Sequence, residues 1–470
     1  MRLDSCLATA KAGWRASERK NNMDEMNLIK IPKRVLNALL SSMAAGVVPR
    51  AGAKYIAIGR TAEITAICKD LENVSEGGSA TRFLIGKYGS GKSFLIQLMR
   101  GYAVERGFVC ADADLSPERR LSSSGGGGLA TYRELVKNLS TKSSPDGGAL
   151  SQMISKWLSD IQYAVTQDGI YPESPVFEKE VSARIYAVLR EIETGVGAFD
   201  FARVIDSYYR AWKEGDERRQ SDCLRWLRGE FTTKTEARAA LSVSGIINDD
   251  NWYDYIKLLA AFSRKIGYGG LVIFIDECVN LYKIPNRVSR ENNYEKILSI
   301  FNDTLQGKAE GLEIIFAGTP QFLEDTRRGL FSYEALRSRL VDNMFGREAA
   351  AVSASGQMFG PIMRLARLSD DELLALLARV TVLFKRGYGN VDVKPEEMRD
   401  FLYYMLDRAG ADTMITPREI IRAYLTALGM VLQSGGKMRL LDIYRKESAF
   451  AEEPKEKSKP TDFDPEDIEF

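Results

Sequence analysis

The stretch "RFLIGKYGSGKSFLIQLMR", residues 82–100, decides the fold. An apolar run, Phe83 to Ile85, ends at Gly86 and leads into Gly86-Lys87-Tyr88-Gly89-Ser90-Gly91-Lys92-Ser93. That octet fits G-x-x-x-x-G-K-[ST]. Glycines at these positions let successive backbone N–H groups curl around a phosphate at close approach. Lys92 is positioned to reach β/γ oxygens, and the Ser93 hydroxyl to ligate Mg²⁺. Phe94 to Ala103 reads as a helix whose N-terminal dipole faces the phosphates. Strand, loop and helix in that order are the context the motif requires.

Composition narrows the chemistry. At 470 residues the chain calls for two or more domains. Hydrophobic content of 45% and charged content of 27% are those of a soluble globular protein. No run of eighteen apolar residues is present, so no spanning helix is expected. A net charge of +1 does not advertise nucleic acid. Histidine is absent, which excludes Ser-His-Asp and Cys-His catalysis and every His-ligated metal site. A general base must then be a carboxylate, Lys, Tyr or Cys. Cys6, Cys68, Cys110, Cys223 and Cys278 are scattered, as for reduced, mostly buried cytoplasmic thiols.

A metal-holding partner for the glycine loop stands at "GGLVIFIDE", 269–277. Leu271 to Ile275 is a continuous apolar run of the buried parallel-strand kind, ending in Asp276-Glu277. Asp276 would coordinate Mg²⁺ through water, and Glu277 would polarise the attacking water. A further strand, "LEIIFAGTP" (312–320), ends at Thr319, placed to sense the γ-phosphate or the water between the other two strands. In "FSYEALRSRL" (331–340), Arg339 is the choice for a cation projected at a neighbour's nucleotide. Arg337, Arg327 and Arg328 are alternatives, and a solvated basic helix face is the competing reading. Strands are expected at 83–86, 107–112, 271–275, 312–318 and 362–367. Helical patterns between most of them mean an α/β fold, a parallel sheet covered on both faces.

The C-terminal third reads as helical. Ser369-Asp370-Asp371-Glu372 and Thr416-Pro417-Arg418-Glu419 are capping boxes, the second with Pro at the first helical position. Arg418 then lies in a helix's first turn, where its charge opposes the dipole; a bound phosphate would offset that, and a plain surface Arg is the alternative.

Taken together, the chain resembles an AAA+ ATPase of the initiator-like kind. "AIGRTAEI" (57–64) resembles the box preceding the P-loop in origin-recognition ATPases, which implies Ile58, Gly59 and Arg60 at an adenine pocket. "LRSRL" resembles the arginine-finger box at Arg339. "TPREI" resembles the lid sensor helix of bacterial initiators at Arg418. The resemblance to the BREX phage-defence ATP-binding family (BrxC/BrxD type) covers nearly the whole chain. It is carried by "VVPRAGAKYIAIGR", "RFLIGKYGSGKSF", "ADADLSPERRL", "GLATYREL", "WLRGE" and "LVIFIDE". It implies ATP and Mg²⁺ as cofactors and a homo-oligomer. The partners it implies are other defence-system proteins, with DNA as a further one and no membrane. The architecture it implies is an AAA+ P-loop NTPase core with a five-stranded parallel sheet, a large helical insertion and a C-terminal helical lid.

The expected organisation is a disordered or misassigned lead-in at 1–26, with Met23 or Met26 as the true start. Core segments follow at 27–115 and 251–368, flanking a mostly helical insertion at 116–250. A lid spans 369–447, and an acidic disordered tail spans 448–470. The glycine run at 125–128 reads as a flexible connector or a second phosphate-contacting loop. Trp157, Trp212, Trp226 and Trp252 are expected as core anchors of the insertion. Tyr255, Leu259, Phe262 and Ile266 form one helical stripe leading back to the metal-binding strand. "RRQSDCLRWLRGEFTTK" interleaves basic and aromatic residues, as a phosphate-contacting surface or a solvated helix face. The tail "TDFDPEDIEF" spaces Phe463, Ile468 and Phe470 among acids, as in a docking peptide or a solubilising end. The functions in contention are an ATP-hydrolysing motor or switch in anti-phage defence, an ATP-gated scaffold with slow turnover, and an initiator-like DNA-binding ATPase. Glu277 and Arg339 favour the first.

Overall fold

The computed structural model describes residues 30–192, 197–341, 360–407, 415–435, 437–440 and 442–443. The expected lead-in and acidic tail, with Cys6, Phe463, Ile468 and Phe470, lie outside the described residues.

Five strands form one sheet: β1 (Ala80–Gly86), β2 (Val109–Asp114), β3 (Leu271–Asp276), β4 (Leu312–Gly318) and β5 (Ile362–Leu365). Their order is β2-β3-β4-β1-β5, and every pairing is parallel. The expected strands are all present; β4 has the expected bounds and the other four have shifted ends. β1 begins earlier than its apolar run because polar positions are satisfied within the unit. Thr81 shares a hydroxyl–hydroxyl bond with Thr304 at 2.9 Å, and Arg82 pairs with Asp70 at 2.6 Å. β2 starts later than expected because Gly107, at φ +81°, ends the preceding helix. It runs on to Asp114, which stands in register with Asp276.

The helices, in chain order, begin with α1 (Lys33–Ala44), α2 (Thr61–Ser75) and α3 (Lys92–Glu105). Between β2 and β3 lie α4 (Gly127–Lys137), α5 (Ala149–Gln167), α6 (Phe177–Ile192), α7 (Ala198–Glu214), α8 (Glu217–Leu227), α9 (Lys234–Leu241) and α10 (Trp252–Lys265). Then come α11 (Arg287–Leu305), the short α12 (Pro320–Glu324) and α13 (Glu334–Leu340). Last are α14 (Asp370–Tyr388), α15 (Pro395–Asp407) and α16 (Pro417–Gln433).

The described residues divide into two compact units, one holding those of 30–39 and 48–369, the other those of 40–47 and 370–443. In the first, alternate β4 residues point to opposite faces, as strand geometry requires. Ile315 and Ala317 pack under α2 and α3, while Leu312, Ile314 and Phe316 join the larger core. That larger core is continuous with the helices of 116–250, so these residues belong to the same compact unit as the sheet. The helices between β2 and β3 are amphipathic; α4 and α10 lay their apolar sides on the sheet, and the others pack on them and on one another. Trp157, Trp226 and Trp252 are buried there and Trp212 is partly buried against it. Tyr255, Leu259 and Phe262 are buried and Ile266 partly so, which carries the expected stripe to the foot of β3.

The glycine run at 125–128 is neither a flexible connector nor an open phosphate loop. Gly126 turns left-handed, at φ +80°, and α4 starts at Gly127. Asp249 then fills the helix N-terminus, accepting from Ser123 N at 2.8 Å, Gly128 N at 2.5 Å and Leu129 N at 3.1 Å. A carboxylate of the same chain occupies the position a phosphate would take. Gly128 is required because a Cβ there would lie 2.7 Å from the Trp252 Nε1 atom.

In the second unit, Thr416 opens α16 with a complete capping box, its side chain accepting from Glu419 N while Glu419 accepts from Thr416 N. The negative charge of Glu419 in that first turn meets the dipole that Arg418 opposes. Among the described residues no helix is long and apolar enough to cross a membrane.

Candidate nucleotide and metal site

The loop between β1 and α3 is shaped by its glycines. Gly89 and Gly91 take φ of +78° and +89°. At Gly86 a Cβ would come within 2.3 Å of the Ser90 hydroxyl. Gly91 caps α3 with no side-chain bond, and no acidic residue occupies the first turn. The N-terminus of α3 thus presents N–H groups without the carboxylate that fills the same position in α4. An anion is what such a terminus takes. Ser90 adds a buried hydroxyl with no hydrogen-bond partner. Tyr88 at the loop tip is 79% exposed, and Phe94 packs partly against the core under α3.

Lys92 folds back on the loop, its Nζ donating to Gly86 O at 2.9 Å and Lys87 O at 3.2 Å. Burial lowers its pKa, against the pull of Asp276 and Glu277. Ser93 Oγ donates to Asp276 Oδ2 at 3.2 Å. This contact is made across the sheet, since β4 lies between β1 and β3. Asp276 Oδ1 accepts from Glu277 N at 2.7 Å. Burial pushes the Asp276 carboxyl up to about 6, with Asp114 and Glu277 adding to the rise and the Glu277 N–H and Lys92 opposing it. Asp114 was missed in the sequence. Its only signal was an acid at a strand's carboxyl end in "ADADLSP", the same signal that exposed Asp276.

Glu277 is exposed and sits at φ +56°, one of two described non-glycine residues with positive φ. Such a conformation costs of order 1–3 kcal/mol and gathers at functional sites. Cys278 N bonded to Ala317 O at 3.0 Å holds the turn. Thr319, at the end of the intervening β4, is half-buried, and its hydroxyl caps α12 by accepting from Phe322 N at 3.4 Å.

Arg60, which the resemblance puts at an adenine pocket, stands beside the phosphate loop. Its guanidinium is buried and donates to Ser90 O at 3.0 Å and Ala366 O at 3.1 Å, with Glu63 at 3.4 Å. It braces the phosphate loop against the chain after β5. Ile58 and Gly59 beside it are partly exposed. Arg339 is exposed at the end of α13, its Nη1 donating to Ala335 O in its own helix at 2.7 Å. Arg337 lies 3.9 Å from Glu334, and Arg327 is exposed. Arg328 is committed, donating to Ile284 O at 3.2 Å and stacking over Tyr282. Arg418 is exposed in the second unit.

A parallel five-stranded sheet with a G-x-x-x-x-G-K-S loop closing one strand, and an acidic pair ending another two places away, defines a P-loop nucleotide-binding protein. Residues 31–446 match the model of the family described as BREX system ATP-binding protein BrxC/D, and the chain belongs to that family. Among solved structures it is similar to a structure of Drosophila ORC bound to DNA, at 11% identity and a TM-score of 0.34, covering 87% of this chain and 70% of that one. No curated protein matches.

Proposed function

We propose that this chain hydrolyses ATP with Mg²⁺ at the site above and works as an oligomeric motor or switch in an anti-phage defence system, on or near DNA. The observation that carries the reading is the 3.2 Å approach of Ser93 Oγ to Asp276 Oδ2 across an intervening strand. Both are hard oxygen ligands. Among the described residues no cluster of three or more His, Cys, Asp or Glu would hold a metal alone. Mg²⁺ needs no such cage, since it keeps waters and takes substrate phosphates beside one or two protein oxygens. When bound, it would supply positive charge against the phosphate oxygens.

The chain's own residues do the remainder. The open N-terminus of α3 and the curled loop bind the phosphates. Lys92 exchanges its loop carbonyls for phosphate oxygens. Glu277 takes a proton from the water whose oxygen forms the new bond to the γ-phosphorus, while the bond to the β-γ bridging oxygen breaks. Thr319 orients that water, and Arg339 of an adjacent subunit neutralises charge on the leaving side. Arg418 reports nucleotide state within the helical unit. A second reading, an ATP-gated scaffold with slow turnover, draws on the Thr319 hydroxyl being already engaged as a helix cap.

Steady-state phosphate release separates the two. Glu277→Gln should keep ATP binding and lower turnover by about 10²-fold or more, the scale of a lost general base. Equal turnover in wild type and variant would leave the scaffold. Mixing Glu277→Gln with Arg339→Ala subunits should restore part of the activity if the arginine acts in trans.

A further inference from the structure

We propose a second ligand site, for a phosphorylated sugar, in the cavity beside the loop that follows β2. The cavity has a volume of about 530 Å³, within the range of small-molecule sites. Its wall takes Arg119 from that loop, Arg133 and Lys137 from α4, and Arg228 from the end of α8. Two of the guanidiniums are fixed through Nε alone. Arg119 donates to Asp114 O at 2.9 Å, and Arg133 to Gly229 O at 2.8 Å. Among the described residues their terminal nitrogens make no ion pair, and the Arg228 guanidinium makes no hydrogen bond at all. Arginines gathered from separate segments repel one another, and each keeps a fork of donors matched to a phosphate.

Carboxylates in the same wall offset only part of that charge, Glu134 beside Lys137 and Glu118 near Arg119. Glu118 is held by the Ser116 hydroxyl at 2.9 Å, and Glu134 by Asn138 at 3.2 Å and Lys137 at 3.8 Å. Glu230 makes no side-chain bond among the described residues. An ionised carboxylate accepts hydrogen bonds and cannot donate them. It disfavours a bare polyanion and suits a ligand that brings hydroxyls with its phosphate. The apolar lining is Ala130, Val136 and Leu150, without an aromatic ring. A base therefore has no stacking platform, and recognition rests on sugar and phosphate. That chemistry is shared by a free sugar phosphate and by the 5′-phosphate end of a nucleic-acid strand.

Calorimetric titration of the full chain, with the P-loop saturated by a non-hydrolysable ATP analogue and Mg²⁺, tests the site independently of turnover. The probes are ribose 5-phosphate and a short dT oligonucleotide with or without a 5′-phosphate. Saturable binding of ribose 5-phosphate, weakened roughly tenfold or more by Arg228→Ala, is the expected result. Arg228 makes no side-chain bond among the described residues, so its loss should leave the melting temperature unchanged; Arg228→Gln is the second, milder variant. Binding only of the phosphorylated oligonucleotide, with the same loss in the variants, assigns the site to a strand end. Absence of binding by either probe, or equal affinity in wild type and both variants, overturns the proposal.

Discussion

Asp276 carries the largest conflict at the residue scale. The proposed function needs its carboxyl as an anion beside a cation, yet burial raises it from 3.8 to about 6, a penalty of roughly 3 kcal/mol on the charged form. Under that proposal the compensating partner is the cation that arrives with substrate. Asp276→Asn should therefore raise the melting temperature of the nucleotide-free protein at neutral pH, in chelator, while removing Mg²⁺-dependent ATP binding. Differential scanning calorimetry checks the first effect. A variant less stable than wild type would mean the carboxylate is already compensated within the chain. Glu277 shows the same trade in its backbone, held at φ +56° where most side chains avoid it.

At the scale of elements, two glycine-opened helices meet opposite fates. α3 keeps its N-terminus free of acids, and α4 has Asp249 seated on it. Asp249→Ala should leave three N–H groups without their acceptor and lower stability by about 2 kcal/mol. Chemical denaturation would measure it, and no loss would show that water replaces the carboxylate. The strands were legible because buried parallel strands read as unbroken apolar runs, as in Leu271 to Ile275. The Gly86 to Ser93 turn was legible because its chemistry is local. Asp249 was not, and neither were the contacts of Arg60, which the sequence named only through a resemblance, since their partners lie far along the chain: Ser90 and Ala366 for Arg60, Gly128 for Asp249. Nothing local distinguishes such a residue from a surface charge. Thr319 was visible as a strand-end hydroxyl, but its use as a cap depends on the short helix that follows it.

The sheet as a whole carries a second buried acid, far in the chain from the phosphate loop. Glu313 on β4 is fully buried, and neither carboxyl oxygen has a hydrogen-bond partner. Burial holds its pKa well above 4.5, with Asp70 adding to the rise and Arg82 opposing it. The native state keeps a proton that the unfolded chain releases above 4.5, so stability falls as pH rises beyond that value. Glu313→Gln removes the dependence. Its advantage over wild type should widen by at most about 1.4 kcal/mol per pH unit. Urea melts across pH would show this, and a constant difference would contradict it.

The central claim concerns a cation shared by two distant turns, and Mn²⁺ in place of Mg²⁺ reports it directly by electron paramagnetic resonance. With a non-hydrolysable ATP analogue, wild type should bind one Mn²⁺ tightly, and Ser93→Ala and Asp276→Asn should each weaken it. Their effects should be non-additive when combined, as for two groups on one ion. Wild-type Mn²⁺ affinity in both single variants would contradict the account.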